Sequence, residues 1–170
     1  MQQAVAMTDA MRDDFNVLLE AHRAIAFKVA GTYCRHPDDR DDLVQEIAAQ
    51  LWRAWPGYDS ARPFATFMYR IALNVAIDYV RNESRRWQHA TPLDEELHDM
   101  ADDSGFDFET DQRLRLLQGF IERQAPLERA LLLLYLDERS QREIAEILGL
   151  SETNVSTKIG RLKQRIRQEL

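Results

Sequence analysis

The sequence predicts an all-α protein made of two small helical domains joined by an acidic, flexible linker. Apolar residues recur at helical spacing along most of the chain, and no hairpin signal separates alternating segments. From Asp94 to Asp111 there are nine carboxylates and no lysine or arginine. Such a segment cannot bury enough apolar surface to offset its ordering entropy. We therefore expect domains at residues 1–90 and 112–170, with the linker at residues 91–111.

The first domain is expected to contain three helices. Apolar residues between positions 15 and 29 predict one long first helix. Pro37, followed by two aspartates, is typical of a helix start, and Pro56 with Gly57 ends that second helix. A third helix begins at about Phe64 and continues into the eighties. Its expected inward residues are Phe67, Met68, Ile71, Ala72, Val75, Tyr79 and Val80.

The second domain ends in the most informative stretch of the chain, residues 140–165, which predict a helix-turn-helix. Two helices precede it and are separated at Pro126. Ser140 and Glu143 have the spacing of a capping box. Gly149 suits a left-handed helix end, and Ser151 caps the next helix. One face of that helix is expected to be buried, through Val155, Ile159, Leu162 and Ile166. Its opposite, polar and cationic face is what contact with duplex DNA requires.

Composition and charge limit the class of protein. The 170 residues carry a net charge of −7, and 45% are hydrophobic, which is enough for a packed core. Residues 62–87 hold five basic and two acidic side chains, and residues 137–170 hold seven and six. These two basic islands in an acidic chain predict weak DNA affinity and delivery to DNA by a larger partner. A single cysteine, with no signal peptide or membrane-spanning apolar run, predicts a cytoplasmic protein without membrane insertion.

Two segments of the first domain complete a recognisable pattern. The chain contains DDLVQE at residues 41–46 and the basic, aromatic stretch RPFATFMYRIALNVAIDYVR at residues 62–81. With the C-terminal helix-turn-helix, in this order, it resembles bacterial RNA polymerase sigma factors of the extracytoplasmic-function (ECF) type. The resemblance implies sigma region 2 in the first domain and sigma region 4 in the second. It also implies a non-enzymatic, cofactor-free subunit that binds core RNA polymerase and directs promoter-specific transcription initiation.

The resemblance assigns the DDLVQE helix to core polymerase, with the clamp coiled coil of the beta-prime subunit as its docking site and the beta subunit as a further partner. Positions 42, 45, 46 and 50 share one side of the helix. From the residues alone, that side is equally expected to be a protein interface or a face exposed to solvent. The residues assigned to polymerase are Asp41, Asp42, Leu43, Gln45, Glu46 and Gln50.

The basic, aromatic stretch suits single-stranded nucleic acid, because rings stack on bases and arginines contact phosphates. The resemblance assigns it to the melted −10 element and to capture of a base expelled from the duplex. The assigned residues are Arg62, Phe64, Tyr69, Arg70, Asn74, Asp78 and Arg81. Phe67 stands where the family often has tryptophan, a departure expected to alter packing more than role.

The resemblance assigns the last helix to the duplex −35 element. Its candidate contacts are Ser151, Thr153, Asn154, Ser156, Thr157, Lys158 and Arg161. Lys158 and Arg161 suit guanine or phosphate, and Asn154 suits adenine. Ser156 stands where many relatives carry a basic residue, and Gly160 costs a helix interior about 1 kcal/mol relative to alanine. Both departures predict a modest affinity for duplex DNA.

Other interpretations remain open at this stage. The linker is either a mimic of nucleic acid in the polymerase channel or a solubilising spacer. The resemblance also implies an anti-sigma partner that wedges between the domains. A freestanding helix-turn-helix regulator is the main rival, and a metal-dependent nuclease using Asp41, Asp42 and Glu46 is a distant third. His22, Cys34 and His36 are too few for a zinc site, so we expect no metal.

Overall fold

The computed structural model describes residues 8–89 and 108–170. These two ranges contain no strand, which confirms the all-α prediction. Most of the predicted linker, residues 91–107, lies outside the described residues, whereas residues 108–111 form the first turn of a helix. The helices are α1 Asp9–Ala21, α2 Arg23–Tyr33, α3 Pro37–Ala54, α4 Phe64–His89, α5 Phe108–Glu122, α6 Pro126–Leu136, α7 Gln141–Leu148 and α8 Glu152–Glu169, with a 3-10 turn at Trp55–Gly57.

The single long helix expected at positions 15–29 is instead two helices that meet at His22. The φ of His22 is −115° and its ψ is 11°, values outside the α-helical range. Its Nδ1 lies 2.9 Å from the carbonyl oxygen of Leu18, and its ring contacts Phe64 of α4. The break ends α1 at Ala21, and α2 begins at Arg23. A sequence period cannot reveal it, because apolar spacing continues across the joint.

Local signals set the ends of most other helices. Pro37 occupies the first turn of α3, with Asp38 and Asp39 beside it at the positive end of the helix dipole. The hydroxyl of Ser140 accepts the backbone N–H of Glu143 at 3.1 Å, and α7 follows. Gly149 ends α7 with a φ of 67°, as predicted from its left-handed preference.

Two groups of helices surround the core. In the N-terminal half, α2, α3 and α4 pack on one another, and in the C-terminal half α6, α7 and α8 do the same. Fully or nearly fully buried side chains of the first group include Val29, Leu43, Ile47, Leu51, Met68 and Ala72. Those of the second group include Leu131, Leu134, Ile144, Val155 and Leu162, and Phe120 of α5 is also fully buried.

The two halves are docked onto each other. Helix α4 contacts α6 and α7, while α2 contacts α5 and α6. A second buried face of α4, which the sequence analysis left outside the core, carries Tyr69 and Leu73. One continuous cluster of buried apolar residues therefore runs through both halves.

Two glycines of the helix-turn-helix offer a test of backbone conformation. Replacing Gly149 by alanine should lower the free energy of unfolding by about 1–2 kcal/mol, because a Cβ is unfavourable at its left-handed φ. Gly160 lies inside α8 with open space around it, so replacing it by alanine should raise the free energy of unfolding by about 0.5–1 kcal/mol. Urea denaturation of both variants measures the difference. Effects of the same sign would contradict the assigned backbone at Gly149.

Candidate nucleic-acid interface

The acidic face of α3 projects away from the core. Asp41, Asp42, Gln45 and Glu46 are exposed, and Gln50 is half-buried and donates a hydrogen bond from Nε2 to Glu46 Oε1 at 3.0 Å. Leu43 is fully buried and lies on the opposite side of the helix, so it supports this face from within the core. The face thus offers carboxylates and amides, but no apolar side chain at position 43, to a partner.

The residues assigned to the melted strand divide into two sets. Arg70, Asn74, Asp78 and Arg81 are exposed and follow one another at spacings of four, four and three along α4, so they share a face. Arg62 is exposed in the loop before this helix. Phe64 and Tyr69 are buried, with Tyr69 0% exposed. Contact of Tyr69 with a base therefore requires the surrounding helices to move.

A groove between α3 and α4 brings two predicted sets of residues together. It has a volume of about 500 Å³. Its walls include Glu46 and Gln50 from the acidic face and Asn74 and Asp78 from the face of α4. The surface assigned to polymerase is therefore continuous with the surface assigned to DNA, a proximity that sequence spacing does not reveal.

An aromatic cluster holds the loop between α3 and α4. The rings of Trp55 and Tyr58 stack with centroids 5.2 Å apart, and Tyr58 also contacts Phe64 and Phe67. The hydroxyl of Tyr58 donates to the carbonyl of Arg62 at 2.7 Å. Tyr58 is not among the site residues predicted from the sequence, although its position three residues after Trp55 is a usable signal. This cluster fixes the loop that carries Arg62.

The polar face of α8 matches the sequence prediction. Thr153, Asn154, Thr157 and Arg161 are exposed, and Lys158 is half-buried. The hydroxyl of Ser151 accepts the backbone N–H of Asn154 at 3.1 Å, so this side chain caps the helix. The exposed Ser156 completes the first turns of the face.

A basic groove of about 400 Å³ lies between α6 and α8. Lys158, Arg161 and Arg165 line it, together with Glu128 of α6. Arg165 pairs with Glu128 at 3.0 Å, which joins α8 to α6 at this groove. The remaining two cations are placed to contact phosphate or base edges.

The residues weighed as metal ligands have other surroundings. Cys34 is buried, and burial, with the nearby Asp39, raises the pKa of its thiol to about 11. His22 is held by the Leu18 carbonyl. Across residues 8–89 and 108–170, no group of three or more histidines, cysteines or carboxylates is arranged to hold a metal ion. Among the same residues, no helix is both long and apolar enough to cross a bilayer.

At the junction of the two halves, the carboxylate of Asp137 accepts hydrogen bonds from three side chains. Its Oδ1 accepts from Lys28 Nζ at 2.6 Å, and its Oδ2 accepts from the hydroxyl of Tyr69 at 2.6 Å and from Arg139 Nε at 3.1 Å. Burial alone would raise the pKa of Asp137, but these hydrogen bonds outweigh it and hold the pKa at about 2. Burial and the Asp137 carboxylate together raise the pKa of Tyr69.

This coordination predicts a pH-dependent stability. The pKa of Asp137 lies below its ordinary value of 3.8, so its contribution is complete above that value and is lost as pH falls toward about 2. The difference in unfolding free energy between wild type and Asp137→Asn should be about 2 kcal/mol at neutral pH and should shrink below pH of about 4. Urea denaturation across this range measures it. A difference that is constant with pH would rule out the proposed coordination.

Family models and related proteins match most of this chain. The Sigma-70 region 2 family model matches residues 18–86, and the Sigma-70 region 4 model matches residues 114–166. Together they cover more than two thirds of the chain. An ECF RNA polymerase sigma-E factor of Haemophilus influenzae is 28% identical over 174 residues, covering 92% of this chain and 87% of that protein. The ECF sigma factor SigW of Bacillus subtilis is 23% identical over 173 residues, covering 95% and 89%.

Two solved structures share the fold. The structure of CnrH in complex with the cytosolic domain of CnrY has a TM-score of 0.66 at 23% identity, covering 92% of this chain and 87% of that chain. The structure of the sigma factor RpoE in complex with the anti-sigma factor NepR, from Bartonella quintana, has a TM-score of 0.67 at 16% identity, covering 95% and 96%. The helical architecture is therefore shared across sequences that have diverged widely.

Proposed function

The chain belongs to the sigma-70 family and to its ECF group. We propose which of its surfaces binds core polymerase and which bind promoter DNA during promoter-specific transcription initiation. As a sigma factor, it binds core RNA polymerase and directs that enzyme to promoters by recognising −10 and −35 elements. The single observation that carries this function is the presence of both sigma regions in one chain, in the order 18–86 and then 114–166.

Core polymerase docks on the acidic face of α3. Asp41, Asp42, Gln45 and Glu46 are exposed on one helix whose buried side is fixed by the bundle, so they form a rigid patch. Such a patch favours a cationic partner surface, because complementary charge guides docking and excludes wrong partners. The clamp coiled coil of the beta-prime subunit is the partner we propose for it.

Promoter DNA is bound by two separate surfaces. The melted −10 strand binds to the exposed face of α4 and to the loop that carries Arg62. The polar face of α8 binds the −35 element through its major groove. Each surface alone is weak in a chain with a net charge of −7. Simultaneous engagement by one chain supplies the affinity that neither surface has alone.

We further propose that the two sigma regions act as separate domains at residues 1–90 and 112–170, joined by the acidic segment 91–111. We propose that the chain is not itself an enzyme, since its polymerase partner makes the transcript. Because core RNA polymerase is its partner, we propose that it acts in the cytoplasm. The two solved relatives described above are complexes with CnrY and with the anti-sigma factor NepR, and an anti-sigma partner is proposed here on that basis.

Transcription in a purified system tests the function. The full chain is mixed with core RNA polymerase and a library of promoter fragments, and transcripts are sequenced. We expect initiation at a defined set of sites that depends on the added chain. Core polymerase alone is the control. A tight, specific complex of the chain alone with duplex DNA, without any effect on polymerase, would favour a freestanding regulator instead.

A further inference from the structure

We propose that Arg165 is a further phosphate-binding residue of α8, and that Glu128 of α6 neutralises it in the free chain and so lowers the affinity for duplex DNA. This inference deepens the proposed function and rests on it, because α8 must be the surface that meets the duplex. The observation that carries it is a single carboxylate in a groove that is otherwise lined by cations and amides.

Arg165 continues the line of candidate DNA contacts along α8. Positions 154, 158, 161 and 165 are separated by four, three and four residues, so they share one face of the helix. At a rise of about 1.5 Å per residue, Arg165 lies about 6 Å beyond Arg161 along the helix axis. The residues assigned to the −35 element from the sequence end at Arg161. A DNA backbone that follows this face past Arg161 therefore meets Arg165 next.

The groove between α6 and α8 has the charge and the size to admit a phosphate group of DNA. Its volume is about 400 Å³, and Lys158, Arg161 and Arg165 supply three positive charges. Two glutamines of α8 add amide donors to the same wall. Cationic and amide side chains are the groups with which proteins contact the phosphates of DNA. Glu128 is the one residue of this lining that opposes a phosphate.

Glu128 lowers the phosphate affinity of this groove in two ways. Its Oε1 lies 3.0 Å from Nη2 of Arg165, so the guanidinium is already paired. The same carboxylate repels a phosphate that enters beside it. The two side chains are 33% and 42% exposed, so both remain accessible to DNA. Three cations and one carboxylate leave the groove a charge of +2, and removing the carboxylate would raise it to +3.

Glu128 also occupies the first turn of α6, where a carboxylate stabilises the helix through its dipole. That stabilisation and the contribution of an accessible ion pair are both small. Neither of them predicts tighter DNA binding when the charge of Glu128 is removed. Affinity for duplex DNA and its dependence on salt therefore distinguish the proposed role from a purely structural one.

Fluorescence anisotropy of a labelled random-sequence DNA duplex, titrated with the full chain at several salt concentrations, tests the inference. Glu128→Gln removes the charge and keeps the size of the side chain, so it should bind about tenfold more tightly at low salt. The slope of log affinity against log salt should become steeper by about 0.9, as expected for one additional phosphate contact. Glu169→Gln makes the same change in net charge at a pair with Arg123 outside the groove, and it should bind like wild type.

Two double variants test whether the gain passes through Arg165. Glu128→Gln with Arg165→Gln should return to the affinity and salt slope of wild type. Glu128→Gln with Arg167→Gln has the same net charge, but it keeps Arg165 and changes an exposed residue outside the groove. It should therefore retain most of the tenfold gain. Circular dichroism confirms that each variant is folded.

The inference is wrong if Glu128→Gln binds no more tightly than wild type, or does so without a steeper salt slope. It is also wrong if both double variants lose the gain equally. Lys158→Ala with Arg161→Ala, measured in the same assay, tests the proposed function separately. Unchanged duplex binding in that variant would overturn the assignment of α8 to DNA, whereas weaker binding there with no gain in Glu128→Gln would overturn this inference alone.

Discussion

Replacing Asp42 and Glu46 together by lysine should weaken binding to core RNA polymerase by about a hundredfold or more. Both side chains are exposed on α3, so the substitution places two positive charges where we propose that a cationic surface docks. Like charges at an interface cost several kcal/mol, and they also slow the encounter. Fluorescence anisotropy of the labelled chain titrated with core polymerase measures the change.

The matched control reverses two other exposed carboxylates. Asp13 and Asp14 are exposed on α1 and are not part of the acidic face of α3. Asp13→Lys with Asp14→Lys makes the same change in net charge. It should bind polymerase with nearly wild-type affinity. Unchanged binding by the Asp42 and Glu46 variant would show that the docking surface lies elsewhere. Equal loss in both variants would mean that overall charge, not this face, governs the association.

Removing the two cations from the face of α8 should reduce transcription from −35-dependent promoters by about thirtyfold or more. In the variant with Lys158→Ala and Arg161→Ala, the α8 surface loses two contacts that each contribute about 1–3 kcal/mol when they meet base edges. Both residues line the basic groove beside α6 and neither is buried, so folding should be preserved. Single-round transcription on the promoters found in the purified system measures the loss.

The control for this variant comes from the same helix. Lys163 packs its ammonium 4.6 Å from the ring centre of Tyr135, and Arg167 is exposed near the end of α8. Lys163→Ala with Arg167→Ala removes the same charge and should reduce transcription much less. The slope of affinity against salt should fall by about 2 in the first variant if both cations meet phosphates. Equal losses in the two variants would show a general electrostatic effect instead of a recognition face.

The helix-turn-helix was predictable in detail because its signals are local. Ser140, Gly149 and Ser151 each act on backbone groups within a few residues, and each forms the contact or conformation that its type predicts. The buried positions of α8 follow from a repeat of three and four residues for the same reason. Val155, Ile159 and Leu162 are buried and Ile166 is partly buried.

The prediction for α4 was less complete. Its expected inward face is buried at Met68 and Ala72 and only partly buried at Phe67 and Tyr79. The resemblance assigns Tyr69 to the melted −10 strand, yet its side chain is among the most buried of the described residues. The sequence could not show this, because the cover comes from α6 and α7 in the other half.

The sequence by itself determined the all-α fold, most helix ends, the helix-turn-helix and membership of the sigma-70 family. Only the tertiary structure decided the break at His22, the burial of Tyr69 and the docking of the two halves. The physical reason is the separation along the chain over which each interaction acts. Helix capping and apolar periodicity involve residues only a few positions apart. The contacts of Asp137 with Tyr69 and Lys28 instead join positions 68 and 109 residues apart. Such pairs form only when packing brings distant helices together.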